Sequence, residues 1–266
     1  MVHTNTVKSQ RRPTTLITVY AQVPLDSVIP YILAIREKAW KVHPRPYIGQ
    51  LRFLDLNLSE ASSYPAILAR LKGETDARFL DLGYCLDQDI RKLIYDDAPA
   101  SSLYGAEMRN EFIELGFDCF RDRQTIGATF LIRDIFDADS PLKGLEGKTS
   151  VVSVGLLLHQ FDRDGQRKAC ERIVALLKPA KGVLVIGQQV GSVVQSDVIF
   201  RGEKKVTRHN EEGFRRLWQE VGERTGSKWE IRATLDEGLG GNVGAGTGAW
   251  DDPDTMRLSF EVERVE

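Results

Sequence analysis

The sequence predicts an α/β fold built on a largely parallel sheet. From residue 77 onward, short apolar runs alternate with amphipathic helical stretches, which is the order expected of consecutive β-α-β units. Hydrophobic residues make up 42% of the 266 residues and charged residues 28%, which is an ordinary globular composition. The chain therefore has enough apolar side chains for a sizeable core, and disorder is excluded as its main state.

The N-terminal region is predicted to be helical rather than part of the sheet. Residues 1–15 are polar and lack periodicity, whereas apolar residues between 28 and 40 recur at helical spacing until the prolines of HPRPY end the helix. A second helix is predicted at 59–72, with Ser59 as its N-cap. We therefore expect two domains, an N-terminal extension with a helical cap (1–76) and a sheet domain (77–266).

The strands and helices of the sheet domain follow from the alternation. The strand candidates are 78–83, 102–106, 128–133, 150–155 and 182–187. The helix candidates are 88–97, 107–117, 162–178 and 210–225. After residue 225, WEIRATL and MRLSFEVERV predict two further strands joined by a long glycine-rich loop.

Charge and cysteine content exclude several classes of function. Lys and Arg total 36 against 38 Asp and Glu, so a net charge of −2 argues against nucleic-acid binding. Three widely spaced cysteines suggest neither a disulfide framework nor a metal site. No apolar run is long enough for membrane insertion and no signal peptide begins the chain, so we expect a cytoplasmic protein. The expected partner is a small apolar substrate, and a homodimer stays open.

Three successive strand ends carry the residues that point to chemistry. An apolar strand ends in Asp81-Leu82-Gly83 and runs directly into a helix, which is a nucleotide-binding layout. The next strand ends in Glu107, where an acid accepts both hydroxyls of a ribose. The third strand ends at Asp134, whose carboxylate suits an exocyclic adenine amine. These strand ends are expected to line one crevice.

This ordered set resembles the class I S-adenosylmethionine-dependent methyltransferases over about residues 77–266. The chain is also similar to the fungal methyltransferases of meroterpenoid and polyketide gene clusters. The segments that carry this likeness are RFLDLGYCLDQDIRKLIYDDAP, FRDRQTIGATFLIRDIFD, LLKPAKGVLVIGQQVG and RHNEEGFRRLWQEVGERTGSKWE. The N-terminal WKVHPRPYIGQLRFLDLNL takes part in it as well.

The resemblance implies a Rossmann-like, seven-stranded, mostly parallel sheet with an antiparallel last strand and helices on both faces. It also implies an N-terminal helical cap over the active site and methyl transfer from S-adenosylmethionine to a secondary metabolite. We expect the acceptor to be an oxygen atom, that of a carboxylate, on a terpenoid or meroterpenoid intermediate. By the same resemblance, the cofactor-contact positions are Asp81, Gly83, Glu107, Asp134, Ile135, Ser153 and Leu156.

One position departs from the family pattern. Asp87 stands where the glycine-rich loop of the family usually has its last glycine. A carboxylate there disfavours the carboxylate of the cofactor, although Asp87 is also a good N-cap for the helix QDIRKLIYD. A cyclase or isomerase that keeps the fold without methyl transfer is therefore an alternative, and a non-catalytic subunit is a weaker one.

Further residues are candidates for acid–base chemistry and substrate binding. His159 follows the fourth strand of the sheet domain, and its ordinary protonation range suits a general base toward a phenol, enol or carboxylic acid. The other candidates are polar or aromatic residues at strand ends, in the cap or in the glycine-rich loop. They are Trp40, Tyr47, Gln188, Gln189, His209 and Trp250.

Overall fold

A computed structural model describes residues 15–137, 140–200, 204–238 and 254–266. The helices are α1 (Val28–Val42), α2 (Pro46–Gly49), α3 (Asn57–Glu60), α4 (Tyr64–Gly73), α5 (Gln88–Tyr95), α6 (Asn110–Phe120), α7 (Arg163–Leu176) and α8 (Glu211–Thr225). The strands are β1 (Phe79–Leu82), β2 (Leu103–Glu107), β3 (Thr129–Ile132), β4 (Val151–Gly155), β5 (Leu184–Ser192), β6 (Ser196–Phe200), β7 (Lys204–Arg208), β8 (Trp229–Asp236) and β9 (Thr255–Arg264).

Seven strands form one sheet in the order β3-β2-β1-β4-β5-β9-β8. The pairs β2–β3, β1–β4 and β4–β5 are parallel, and β9 is antiparallel to both β5 and β8. The predicted seven-stranded, mostly parallel sheet with an antiparallel last strand is therefore confirmed. A separate antiparallel pair, β6–β7, lies in a region for which the sequence pattern predicted no strand.

Two predicted helix boundaries are wrong. In place of one helix at 59–72 there are two, α3 and α4, because the backbone is extended at Ala61. Ser59 does not cap a helix, since its hydroxyl donates to the Leu56 carbonyl at 3.0 Å. Pro65 instead occupies the first turn of α4, where a missing N–H costs nothing. The helix predicted to begin at 107 begins at Asn110, because Glu107 completes β2.

The chain forms two compact units. The first, called here the N-terminal unit, comprises the described residues up to Ala77 together with Tyr84–Ile132. Its hydrophobic core combines apolar residues of the N-terminal segment and α1–α2 with Cys85, Leu86 and the buried face of α6. This core includes residues on both sides of the predicted boundary at 76/77, and that domain boundary stays a prediction.

The second compact unit, the C-terminal unit, comprises Arg78–Gly83 and Arg133–Glu266. Its core contains the residues of α8 that the sequence placed at helical spacing. They are Phe214, Leu217, Trp218 and Val221, all fully buried. Among the described residues, no helix of either unit is both long and apolar enough to cross a membrane.

Candidate active site

Asp87 caps a helix in the N-terminal unit. Its Oδ1 accepts the backbone N–H of Ile90 at 3.3 Å, at the first turn of α5. The side chain is 1% exposed and is directed toward β2, because a β-carbon added to Gly105 would lie 2.7 Å from Asp87 Oδ2. The capping interpretation is confirmed, and the carboxylate is enclosed by protein rather than presented to solvent.

Glu107, at the end of β2, is held by backbone amides. Its Oε2 accepts the N–H of Cys85 at 3.2 Å and its Oε1 accepts the N–H of Arg109 at 3.1 Å. Burial raises the pKa of the Glu107 carboxyl, although these backbone hydrogen bonds oppose the increase. A carboxylate offers about four acceptor sites, so each oxygen retains acceptor capacity for a ligand hydroxyl.

Tyr47 of α2 lies near Cys85, in the segment after β1. Burial is the main cause that raises the pKa of the Tyr47 phenol, and the nearby Cys85 and Glu107 side chains raise it further. Tyr47 therefore lies in the same neighbourhood as Glu107. Trp40 of α1 also packs against α2, since a β-carbon on Gly49 would lie 3.3 Å from its ring. The Trp40 side chain is 43% exposed.

The C-terminal unit pairs two predicted cofactor residues on adjacent strands. Asp81 of β1 and Ser153 of β4 are register partners, and both are buried. Gly83 has a φ of +72°, and a β-carbon there would lie 3.3 Å from the Leu157 side chain. Glycine is required at this turn because its backbone is left-handed and the loop after β4 approaches it closely.

The loop after β4 carries two further predicted residues. Leu156 adopts a left-handed φ of 53°, and its N–H donates to the Gln188 carbonyl at 2.8 Å. A non-glycine residue in this conformation costs free energy, so the hydrogen bond to β5 fixes a strained turn. His159 follows in a short 3-10 helix, Leu158–Gln160, and is half-buried.

An aromatic pair lies beside Asp134. Asp134 is exposed, and its Oδ1 accepts the N–H of Phe136 at 2.9 Å, while Ile135 is buried. The rings of Phe136 and Phe161 meet edge to face, with centroids 5.1 Å apart. The sequence pattern indicated a role for neither phenylalanine, although each follows a predicted site residue by two positions. Together they form a partly exposed aromatic surface next to the strand-end acid.

Gln189 and His209 are fully buried, whereas both were predicted to bind substrate. Within the described part of the chain, neither the Gln189 amide nor either ring nitrogen of His209 has a hydrogen-bond partner. Burial, chiefly, lowers the pKa of His209 from 6.5 to about 4, so the ring is neutral at neutral pH. Gln188 is also buried, at 6% exposed. Trp250 lies outside the described residues.

Burial is the main cause that raises the pKa of all three cysteine thiols. Cys85, Cys119 and Cys170 are free and buried, and burial raises the pKa of the Cys119 thiol to about 12. Thiols with raised pKa values are poor nucleophiles and poor metal ligands. Across the described ranges, no group of three His, Cys, Asp or Glu side chains is placed to hold a metal.

Solved structures with the same fold are methyltransferases and a related cyclase. The chain superimposes on Burkholderia thailandensis 1,6-didemethyltoxoflavin-N1-methyltransferase with a TM-score of 0.53 and 12% identity, over 92% of this chain and 93% of that one. It superimposes on the [4+2]-cyclase SpnF with a TM-score of 0.51 and 14% identity, over 75% and 78%. The fold is that of the class I S-adenosylmethionine-dependent methyltransferases.

Curated relatives define the family more closely. Residues 8–54 match the family described as the meroterpenoid methyltransferase N-terminal domain. The chain is 43% identical to O-methyltransferase atr3 of Stereocaulon alpinum, over 92% of this chain and 70% of atr3. It is 37% identical to O-methyltransferase phiE of a fungal species, over 94% and 87%, and 33% identical to the asnovolin E/chermesin D methyltransferase nvfJ of Aspergillus novofumigatus, over 84% and 82%. The chain belongs to this family of fungal S-adenosylmethionine-dependent methyltransferases.

Proposed function

We propose that this methyltransferase methylates a carboxylate oxygen of a terpenoid or meroterpenoid intermediate of fungal secondary metabolism. Two relatives that align over most of their length carry the name O-methyltransferase. A third is named as the asnovolin E/chermesin D methyltransferase, and the N-terminal segment matches the family described as the meroterpenoid methyltransferase N-terminal domain. These names support an oxygen acceptor on a largely apolar skeleton.

The observation that carries methyl transfer over the cyclase alternative is the placement of Asp87. The position of Asp87 in the sequence suggests a carboxylate that would face, and repel, the carboxylate of S-adenosylmethionine. Asp87 is instead 1% exposed and serves as the cap of α5. The alternative of a cyclase or isomerase therefore loses the feature that suggested it.

The residues at the strand ends fit the groups of the cofactor. Glu107 has acceptor capacity left for the ribose hydroxyls, and Asp134 is exposed and available to an adenine amine. Gly83 has no side chain to obstruct a ligand that approaches its backbone. The remaining contacts would come from Asp81, Ile135, Ser153 and Leu156. When bound, S-adenosylmethionine supplies an electrophilic methyl group on a sulfonium.

The acceptor determines whether the protein must remove a proton. A carboxylic acid is already ionised at neutral pH, so the protein needs only to align the acceptor oxygen and exclude water. A phenol or enol would instead need a general base, and His159 after β4 is the candidate. Trp40, Tyr47, Gln188 and Trp250 are proposed to contact the substrate, whereas the fully buried Gln189 and His209 are not.

The test uses purified protein, S-adenosylmethionine carrying a labelled methyl group, and candidate terpenoid acids with their matched alcohols and phenols. We expect micromolar binding of S-adenosylmethionine by calorimetry and one S-adenosylhomocysteine formed per methylated product. A methyl ester releases labelled methanol in mild alkali, whereas a methyl ether does not. Release of the label identifies a carboxylate acceptor, and alkali-stable label overturns it.

The variant His159→Asn separates the two oxygen classes further. With a carboxylate acceptor, we expect turnover to stay within about tenfold of the native rate, because no proton is removed. A loss of about a hundredfold or more would identify His159 as a general base and the acceptor as a phenol or enol. Product formed without S-adenosylhomocysteine would return the assignment to the cyclase alternative.

A further inference from the structure

A buried arginine in the N-terminal unit binds the backbone of the segment Tyr84–Asp87. The Arg91 side chain is 1% exposed, and its Nη1 donates to the carbonyls of Leu86 and Asp87, each at 2.9 Å. Its Nε and Nη2 donate to the two oxygens of Asp122 at 2.7 and 3.0 Å. One guanidinium thus joins two loop carbonyls to a carboxylate after α6, a bidentate geometry that lysine cannot reproduce.

The segment held by Arg91 needs external support. Cys85 and Asp87 both have left-handed backbones, with φ of 61°. For residues other than glycine this conformation is unfavourable, so surrounding contacts must impose it. Arg91 binds the carbonyl of Leu86, which lies between these two residues, and the carbonyl of Asp87 itself. The same conformation directs the Cys85 N–H toward Glu107 Oε2.

The N-terminal segment reaches this network through Tyr20. The Tyr20 hydroxyl donates to Asp122 Oδ2 at 3.0 Å, the oxygen that also accepts from Arg91 Nε. Burial and the Asp122 charge raise the pKa of the Tyr20 phenol, so it stays a proton donor at neutral pH. Tyr20 lies within the stretch that matches the meroterpenoid methyltransferase N-terminal domain.

We infer that Arg91 is a positioning residue for the segment Tyr84–Asp87, called here the cofactor loop. We also infer that Tyr20 couples the N-terminal segment to that loop through Asp122. The hydroxyl of Tyr20 orients the carboxylate, the carboxylate orients the guanidinium, and the guanidinium fixes the two carbonyls. Glu107 then receives the Cys85 N–H in the arrangement that leaves its remaining acceptor sites free for the cofactor ribose. The N-terminal segment therefore sets cofactor affinity, in addition to any contact with the acceptor.

The first experiment does not depend on cofactor binding. Hydrogen–deuterium exchange is compared in the ligand-free native protein, Tyr20→Phe and Tyr31→Phe. Tyr31 is the matched control, because its hydroxyl also ties the N-terminal region to α6, at the carbonyls of Asp118 and Cys119 (2.7 and 3.0 Å), without touching Arg91 or Asp122. We expect Tyr20→Phe to speed exchange in the peptide around residues 84–90 by about tenfold and Tyr31→Phe to leave it unchanged.

The second experiment rests on the proposed function. Calorimetry with S-adenosylmethionine is expected to give a Kd about fivefold to tenfold weaker for Tyr20→Phe and weaker still for Arg91→Lys, with Tyr31→Phe at the native value. If the native protein does not bind, the proposed function fails, while the exchange result still decides the coupling.

Equal exchange of the 84–90 peptide in Tyr20→Phe and the native protein would overturn the inference. An equal loss of S-adenosylmethionine affinity in Tyr20→Phe and Tyr31→Phe would also overturn it, because that result would indicate a general loss of packing. If Arg91→Lys does not fold, Tyr20→Phe alone decides, since it removes one hydroxyl and leaves the ion pair in place. Melting temperatures of the two tyrosine variants, expected to agree, separate loop positioning from global stability.

Discussion

The Asp87 side chain, in the turn between β1 and α5, occupies the space left by the missing side chain of Gly105 on β2. A β-carbon on Gly105 would lie 2.7 Å from Asp87 Oδ2 and equally close to the Tyr84 ring. Only a residue without a side chain leaves β2 room for an acid that folds back to cap α5. Asp87, in the segment between β1 and α5, is thus accommodated by a glycine on the neighbouring strand.

The first prediction concerns this space. Gly105→Ala is expected to displace the Asp87 and Tyr84 side chains and to destabilise the protein by roughly 1–3 kcal/mol, because overpacking forces side chains from their rotamers. Gly73→Ala is the control, since no atom lies within 4 Å of its added β-carbon. Urea unfolding measures both. A Gly105→Ala variant as stable as Gly73→Ala would mean that the two side chains move without cost.

The second prediction separates the charge of Asp87 from its cap. Asp87→Asn keeps a capping oxygen and tolerates the left-handed backbone, so its free energy of unfolding should stay within about 1 kcal/mol of native. Asp87→Ala loses both properties and should cost roughly 2 kcal/mol. Asp87→Gly should lie between them. If all three lose the same amount, the negative charge rather than the cap supplies the stability.

His209 should make the protein acid-sensitive. Its pKa falls from 6.5 to about 4 on burial, so the unfolded chain binds this proton more tightly than the folded one. The stability from neutral His209 is therefore complete above about pH 6.5 and is lost as pH falls toward 4, by up to about 3 kcal/mol. His209→Phe should lack this loss, whereas His43→Gln, in the other unit, should retain it. Parallel pH profiles for native and His209→Phe proteins would contradict the assignment.

The ionisation of Glu107 should make the protein less stable as pH rises, which is the opposite of the effect of His209. Burial raises its pKa above 4.5, so the folded protein holds the proton more tightly than the unfolded chain. Stability is greatest below the unfolded pKa and falls as pH rises through the folded value. The gain in unfolding free energy from Glu107→Gln should thus be larger at pH 7 than at pH 4, while S-adenosylmethionine binds at least about tenfold more weakly. Unchanged affinity would remove Glu107 from the cofactor site.

Gln189 is predicted to reduce stability. A buried amide without partners costs about 1–3 kcal/mol, and within the described residues neither of its polar atoms is bonded. Gln189→Leu should therefore raise the melting temperature by several degrees. Val190→Ala, at a buried neighbour on β5, should lower it. A lower melting temperature for Gln189→Leu would show that the amide is satisfied in solution.

Local pattern was sufficient for the main elements. The alternation of apolar runs located β1–β4 to within one or two residues, and helical spacing identified the buried face of α8. The likeness to the family added the sheet order and the antiparallel β9. The break at Ala61 and the β6–β7 pair were not predicted. The β6–β7 pair was missed because a strand forms only where a partner strand satisfies its backbone, and the local pattern does not identify that partner.

The sequence by itself determined the fold class, the strand-end acids and the ability of Asp87 to cap a helix, because each depends on residues close together along the chain. Tertiary structure decided that the Asp87 side chain lies against Gly105, which carboxylate pairs with Arg91, and which tyrosine joins Asp122. These contacts connect residues distant in sequence, as Tyr20 and Asp122 are. Periodicity specifies which face of an element is buried, whereas packing alone decides which buried groups meet.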